Sequence, residues 1–436
     1  MMNKGQHLYN KAKTLIPGGV MLLSKRPEMH LPIKWPSYFS KSKGCFVWDL
    51  DNNKYVDMSI MGIGTNTLGY GNKKVDEAVI RTVLKGNMST LNAPEEVYLA
   101  EKLIELNPWA SKVRFARTGG EANSIAVRIA RAASGKDKIA FCGYHGWHDW
   151  YLSANHNSSN NLSEHLIPGL STAGVPSTLK NTVFPFQYNN FNELLEIVKQ
   201  NEIGVIKMEV VRNFGPDNNF LQKVRDLATK RGIVLIFDEC TSGFRETYGG
   251  IYQKYNVIPD MIMYGKTLGN GYAITAVLGK EQVMEATQKT FISSTFWTER
   301  IGSTAALETL EVMKETRSWE IITNQGNKMR AGWQSIAAKY NLKIQINGIP
   351  ALSSLLFLSS NHLEYKTLIA QEMLKKGYLA GTLFYPSIAH NDEIINSYVD
   401  ELDEIFFKIS ECEKGNIRIN DLLEVPVAHS GFNRLN

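Results

Sequence analysis

Three short runs near the middle of the chain end in residues able to do acid–base or nucleophilic work. Ile203-Gly-Val-Ile-Lys-Met-Glu209 ends in a carboxylate, Gly232-Ile-Val-Leu-Ile-Phe-Asp238-Glu239 in two, and Asp260-Met-Ile-Met-Tyr-Gly-Lys266 in an amine. The first two begin with apolar runs of strand length. A polar or helical segment separates each run from the next, the pattern of βαβ units. Successive parallel strands leave their carboxyl ends on one edge of a sheet, where open α/β folds bind ligands. Glu209, Asp238 and Lys266 are therefore expected to converge on one site.

Taken one at a time, these residues have plainer readings. Asp238-Glu239 can cap the helix that follows, and Lys266 can be a solvated surface lysine. The combination points elsewhere. A carboxylate directly after Ile-Val-Leu-Ile-Phe is desolvated and needs a cationic partner. A protonated pyridine nitrogen is such a partner, and a lysine amine can form a Schiff base; pyridoxal phosphate asks a protein for both groups.

Phe115-Ala-Arg-Thr118-Gly119-Gly120-Glu121 reads as a strand end, a glycine turn and a helix start, with apolar residues at 125, 126, 129, 130 and 133 on one helical face. Thr118, Gly119 and Gly120 then place backbone N–H groups at a positive dipole end, which suits a phosphate. The same stretch reads equally as an ordinary capped helix entry. Tyr144, at the end of another strand, suits stacking on a flat cofactor ring. His145 and His148 form an incomplete ligand set, so no metal is expected. Trp147 and Trp150 read as core packing. Cys240 lies close enough to Asp238 to approach a cofactor, or fills space as a small buried residue. Residues 153–181, rich in Ser, Asn, Gly and Pro, are expected to form a lid over the site.

At 436 residues the chain is long enough for two lobes. A formal charge of +5, dispersed along the sequence, gives no reason to expect nucleic acid. No apolar run approaches membrane-spanning length, and the first residues lack the apolar core of a signal peptide, so the expectation is a cytoplasmic protein with no membrane partner. Cys45, Cys142, Cys240 and Cys412 lack CxxC spacing, which argues against a disulfide framework and structural zinc. A hairpin is expected over residues 44–58, turning at Asp51-Asn-Asn. Gly62-Ile-Gly64 is no dinucleotide fingerprint, because Thr67 stands in the third glycine's place and a hairpin precedes it.

Several of these motifs, with others along nearly the whole chain, carry a family likeness. They are Ile16-Pro-Gly-Gly-Val20, Trp48-Asp-Leu-Asp, Thr118-Gly-Gly-Glu-Ala, Tyr144-His-Gly, Asp238-Glu-Cys-Thr-Ser-Gly-Phe-Arg245, Gly265-Lys266 and Ala389-His390. The chain resembles class III aminotransferases of the pyridoxal-phosphate fold type I superfamily, in the branch that contains glutamate-semialdehyde aminomutase. The Asp-Glu…Gly-Phe-Arg stretch followed by lysine is the specific part of the likeness. The resemblance implies an α/β fold with a mainly parallel, seven-stranded-type sheet in a large domain, plus a smaller α+β domain. Residues 1–60 and 311–436 would make the small domain and tail, and 61–310 the large one.

By the same resemblance Lys266 forms the Schiff base and moves protons, and Asp238 keeps the ring nitrogen protonated. Tyr144 and His145 belong to the ring site, with Cys240 beside it. Thr118, Gly119 and Gly120 bind the phosphate. Glu209 and Asn213 match a family Glu-Pro-Val…Asn stretch, in which Asn213 reaches the phenolic oxygen. Thr295, in Ser294-Thr295-Phe296, would bind the phosphate of the other subunit, implying a homodimer with shared active sites.

The substrate half departs from the aminomutase pattern. Thr382 stands where the aminomutase has a glutamate, Lys25 with Arg26 where it has an arginine, Ile63 where it has a tryptophan, and Trp297-Thr298 where Ser-Gly is usual. Arg26 and Trp297 are thus the candidate substrate residues. The expected activity is amino transfer from an amino-acid donor, glutamate foremost, to a carbonyl acceptor. The alternatives are an intramolecular aminomutase and a non-catalytic protein that keeps the fold. A nicotinamide oxidoreductase loses its support with the failed glycine motif.

Overall fold

The computed structural model describes residues 2–163, 165 and 168–431. The chain divides into two compact units, one formed by Met1–Asn72 with Glu320–Asn436 and the other by Lys73–Trp319. The amino-terminal strands are β1 (Phe39–Lys43), β2 (Phe46–Asp49) and β3 (Lys54–Asp57). The central ones are β4 (Lys112–Ala116), β5 (Lys138–Cys142), β6 (Val183–Pro185), β7 (Ile203–Glu209), β8 (Val234–Glu239), β9 (Met261–Tyr264) and β10 (Thr275–Gly279). The carboxyl-terminal ones are β11 (Ile344–Asn347), β12 (Ser353–Phe357), β13 (Tyr378–Leu379) and β14 (Leu383–Phe384).

The central unit holds a seven-stranded sheet in the order β4-β10-β9-β8-β7-β5-β6. Only β10 runs against the rest, pairing antiparallel with β4 and β9. Every residue of β7 and β8 is buried, as expected for parallel strands covered on both faces. One face packs on the helix Gly119–Ser134: its Ala122, Ile125, Ala126 and Ile129 meet Ile139, Phe141, Val205, Ile236, Met261 and Met263. Each large aliphatic side chain so buried contributes roughly 1.5–3 kcal/mol. The helix begins at a capping box, in which Thr118 and Glu121 satisfy each other's backbone N–H groups, and ends at Gly135 with φ 66°.

The helix Arg300–Thr316 runs unbroken through residue 310, where the sequence suggests a domain boundary. Its Thr304 hydroxyl lies 3.1 Å from that of Thr82 in the helix Lys73–Leu84, so it belongs with the central unit.

The other unit contains the expected hairpin, β2 antiparallel to β3, within a four-stranded sheet β1-β2-β3-β13. A three-stranded sheet β11-β12-β14 accompanies it. The long helices Ser318–Lys339, His362–Lys375 and Asp392–Glu413 close its core around Trp333, Tyr365, Ile369 and Phe406. Gly62 and Ile63 adopt left-handed backbone, φ 63° and 65°, unlike a phosphate-binding βα turn. No helix among the described residues is long and apolar enough to cross a membrane.

Residues 153–181 are tied into the central unit. Leu162 and Ala154 are fully buried, the Asn155 carboxamide donates to Leu170 O at 3.0 Å, and His165 Nδ1 accepts the Gly143 N–H at 3.1 Å. The segment is thus fastened through its own side chains; residues 164, 166 and 167 of the expected lid, and the tail beyond 431, lie outside the described residues.

Candidate active site

The parallel register brings the chemistry to one edge. Glu209 of β7 stands opposite Asp238 of β8, and Asp238 opposite Met263 of β9. Two residues after β9 comes Lys266, and two after β5 comes Tyr144. The turn Arg117-Thr118 leaves β4 on the same side of the sheet.

Asp238 is the centre of this arrangement. Its Oδ2 receives His145 Nδ1 at 2.8 Å and lies 3.8 Å from Lys207 Nζ, while Oδ1 accepts the Cys240 N–H at 3.1 Å. Burial works against its charge, but Lys207 and His145 outweigh it and hold the carboxyl well below the usual carboxylate range. Burial lowers the pKa of His145 despite the Asp238 contact. The proton of the neutral imidazole is then assigned to Nδ1, which faces the charged acceptor at the shorter distance. His145 Nε2 lies 3.2 Å from Cys142 O.

Lys266 is half-buried, with φ 40°, a backbone conformation that side-chain-bearing residues rarely adopt. Its Nζ donates to Thr241 Oγ1 at 2.9 Å. Burial, followed by the charges of Arg212 and Arg245, brings its pKa down to about 8. A lysine so placed offers a free amine close to neutral pH. Arg245 is fully buried and donates from Nε to Thr241 O at 2.5 Å. Gly243 makes this tight turn possible, because a Cβ there would come within 2.8 Å of Glu239 O and 2.9 Å of the Tyr264 ring.

Glu209 acts as a bolt. Its Oε2 accepts the Tyr144 N–H at 3.0 Å and pairs with Arg212 Nη1 at 3.3 Å. Gly143 has φ 111°, and a Cβ there would fall 2.6 Å from the same Oε2. Tyr144 is half-buried, with the Arg212 guanidinium 5.6 Å from its ring centre and Tyr151 edge-on at 6.2 Å.

At the start of the helix Gly119–Ser134, the amides of Gly119 and Gly120 precede any i→i−4 acceptor. A Cβ on Gly119 would meet nothing within 4 Å, so that side is open. A Cβ on Gly120 would lie 3.0 Å from the His148 ring, and one on Gly146 3.0 Å from the Gly120 Cα, so Gly120 also serves a close chain crossing. His148 is turned to Ser124 Oγ at 2.7 Å, away from the partners of His145. The Trp297 indole donates to Glu121 Oε1 at 3.3 Å, and Arg117 Nη2 donates to the Trp297 carbonyl at 2.8 Å. Trp297 is thereby fastened beside the helix start, next to the exposed Thr295.

Asn213 is exposed on the loop after β7. Arg26 and Lys25 belong to the other unit, where Arg26 Nη2 comes within 2.6 Å of where a Gly18 Cβ would be. Lys207, Arg212 and Thr241 were not singled out by sequence reasoning. Lys207 had a visible signal, a charge inside an otherwise apolar strand two residues from Glu209. The residues present fit pyridoxal phosphate: an open helix N-terminus for the phosphate, an ionised buried carboxylate for the ring nitrogen, and an amine of lowered basicity.

Comparison with known proteins agrees. The sequence matches the family described as Aminotransferase class-III over residues 31–406. It is 31% identical over 426 residues to a 3-aminobutyryl-CoA aminotransferase of Cloacimonas acidaminovorans, covering 94% of this chain and 98% of that one. It is 30% identical over 427 residues to a glutamate-1-semialdehyde 2,1-aminomutase of Sulfurisphaera tokodaii, covering 93% and 100%. Among solved structures, the PLP internal aldimine form of the FumI protein of Sphingopyxis sp. MTA144 superposes with a TM-score of 0.84 at 24% identity, covering 96% of this chain and all of that one. An omega-transaminase from Sphaerobacter thermophilus superposes with a TM-score of 0.83 at 22% identity, covering 94% and 98%; both likenesses bear on the fold. The chain belongs to the class III aminotransferases, enzymes that depend on pyridoxal 5'-phosphate.

Proposed function

We propose that the protein is an intermolecular transaminase that takes an amino group from an amino-acid donor, glutamate foremost, and passes it to a carbonyl acceptor. The observation that carries this reading is Lys266 Nζ, held at Thr241 with its pKa lowered to about 8, on the sheet edge that also bears the ionised Asp238. Bound pyridoxal phosphate supplies an electrophilic carbonyl and an electron sink. Lys266 anchors it covalently and then moves a proton to and from the donor's reacting carbon. Asp238 holds the proton on the ring nitrogen. Tyr144 orients the ring, with its backbone pinned by Glu209, and the amides of Gly119 and Gly120 with Thr118 take the phosphate. Arg212, whose guanidinium stands over the Tyr144 ring, is suited to receive a donor carboxylate.

Four substrate-side positions, Lys25, Ile63, Trp297 and Thr382, favour this over the aminomutase. A threonine hydroxyl cannot take over the charge or acid–base capacity of a glutamate. The aminomutase stays as the second reading because relatives of that name match nine-tenths or more of the chain. Incubation of the cofactor-loaded enzyme with glutamate alone should release 2-oxoglutarate. Efficient isomerisation of glutamate semialdehyde without an external donor, and no half-reaction with any amino acid, would favour the second reading.

We also infer a homodimer with shared active sites. Leu84, Leu91, Phe291 and Phe296 are strongly exposed on the central unit, apolar side chains that a partner subunit would cover. Thr295, next to Phe296, would serve the partner's phosphate. Four free cysteines, three of them buried, suit the cytoplasm.

A further inference from the structure

One charged side chain stands among apolar neighbours on the sheet face beneath the helix Gly119–Ser134. Lys207 of β7 is fully buried. Across the strands it is opposite Phe141 on one side and Ile236 on the other. Its Nζ lies 3.0 Å from Met263 Sδ and 3.8 Å from Asp238 Oδ2. The titratable groups facing it are Asp238, Cys240 and Glu209, with His145 across the shared Oδ2. The chemistry assigned to Lys266 makes no use of it.

A buried ammonium without a carboxylate is strongly disfavoured, and so is a buried carboxylate without a cation. Asp238 poses that problem whenever no pyridinium is present. His145 supplies a hydrogen bond to Oδ2, and Lys207 supplies the formal charge. Oδ1 accepts the Cys240 N–H and the Cys240 thiol also bonds this carboxylate, but a carboxylate's two oxygens offer about four acceptor sites, which leaves room for a ring nitrogen.

We propose that Lys207 is a positioning residue, the resident counter-ion of Asp238. It holds the carboxylate ionised and oriented in the cofactor-free protein, then shares it with the ring nitrogen when the cofactor binds. Because the carboxylate is shared, the ring nitrogen holds its proton less tightly than it would against Asp238 alone. The inference rests on the reading that this site takes pyridoxal phosphate.

The test compares wild type, Lys207→Met, Asp238→Asn and the double variant, each loaded and cofactor-free. Methionine matches the length of lysine and suits a wall that already contains Met261 and Met263. Removing the cofactor should lower the melting temperature of Lys207→Met by several degrees more than that of wild type. The double variant, with neither charge, should recover much of the cofactor-free loss. In loaded Lys207→Met, the ring-nitrogen NMR signal of labelled cofactor should keep its protonated position to higher pH than in wild type. Equal losses in loaded and cofactor-free Lys207→Met, no recovery in the double variant, or an unmoved nitrogen titration would overturn the proposal. If Lys207→Met alone cannot be obtained cofactor-free, a double variant that folds without the cofactor supports the proposal, and one that also fails overturns it. Wild type that takes up no pyridoxal phosphate would fail first, separating a wrong reading of the site from a wrong role for Lys207.

Discussion

Glu209 and Asp238 stand side by side in the parallel register of β7 and β8, yet each has its own cation. Arg212, from the loop that follows β7, pairs with Glu209 at the sheet edge, and Lys207, from within β7, faces Asp238 inside the sheet. Two adjacent carboxylates would otherwise repel each other in a poorly solvated setting. Their separate partners let one pin the Tyr144 turn while the other remains an ionised acceptor.

Lys266→Ala should abolish turnover, since no second amine among the described residues is held at Thr241. Borohydride treatment of the loaded wild type should fix the cofactor covalently, and peptide mapping should find it on Lys266. A label on any other lysine removes the assignment.

Covalent capture of the cofactor should accelerate as pH rises through about 8, because the lowered pKa of Lys266 sets the free-amine fraction. The folded state has released a proton that the unfolded chain keeps up to the ordinary lysine range. The contribution of Lys266 to stability therefore rises with pH across that window. A capture rate flat through about pH 8 would mean that the amine is not titrating there.

Asp238→Asn leaves Lys207 buried without its counter-charge and the ring nitrogen without its carboxylate. Breaking a buried pair from one side costs about 3–5 kcal/mol, an upper figure here because a buried lysine can shed its proton. Denaturant midpoints should fall and turnover should drop by orders of magnitude. A near wild-type rate would show that Asp238 does not serve the ring nitrogen.

Gly143→Ala places a Cβ against Glu209 Oε2 and puts a side chain on backbone at φ 111°. The strain is on the order of 1–3 kcal/mol. Because Glu209 holds the Tyr144 amide, cofactor affinity should fall by more than global stability does. Equal losses in both, read by cofactor titration and thermal melting, would contradict the bolt.

Thr295→Ala should weaken cofactor binding in the dimer. Sedimentation should show occupied protein more fully assembled than cofactor-free protein. Full activity from a monomer would refute the shared site.

The sequence by itself determined the parallel core and the edge where the chemistry lies. Buried strands such as Ile203–Glu209 and Val234–Glu239 are mainly apolar runs, the first interrupted by Lys207, and their acidic ends mark the rim. The helix entry capped by Thr118 was legible for a similar reason, since its signal is local. Only the tertiary structure decided which partner each charged residue meets. Lys207 and Asp238 are 31 residues apart, and their contact depends on the β7–β8 register, which no local pattern states. Trp297 donates to Glu121 across 176 positions for the same reason. The crossing of Gly120 with Gly146 was equally hidden, because a glycine suited to a phosphate and one that lets two chains pass look alike in sequence. Hydrophobic periodicity records burial, whereas pairing between distant side chains is settled only when the sheet closes.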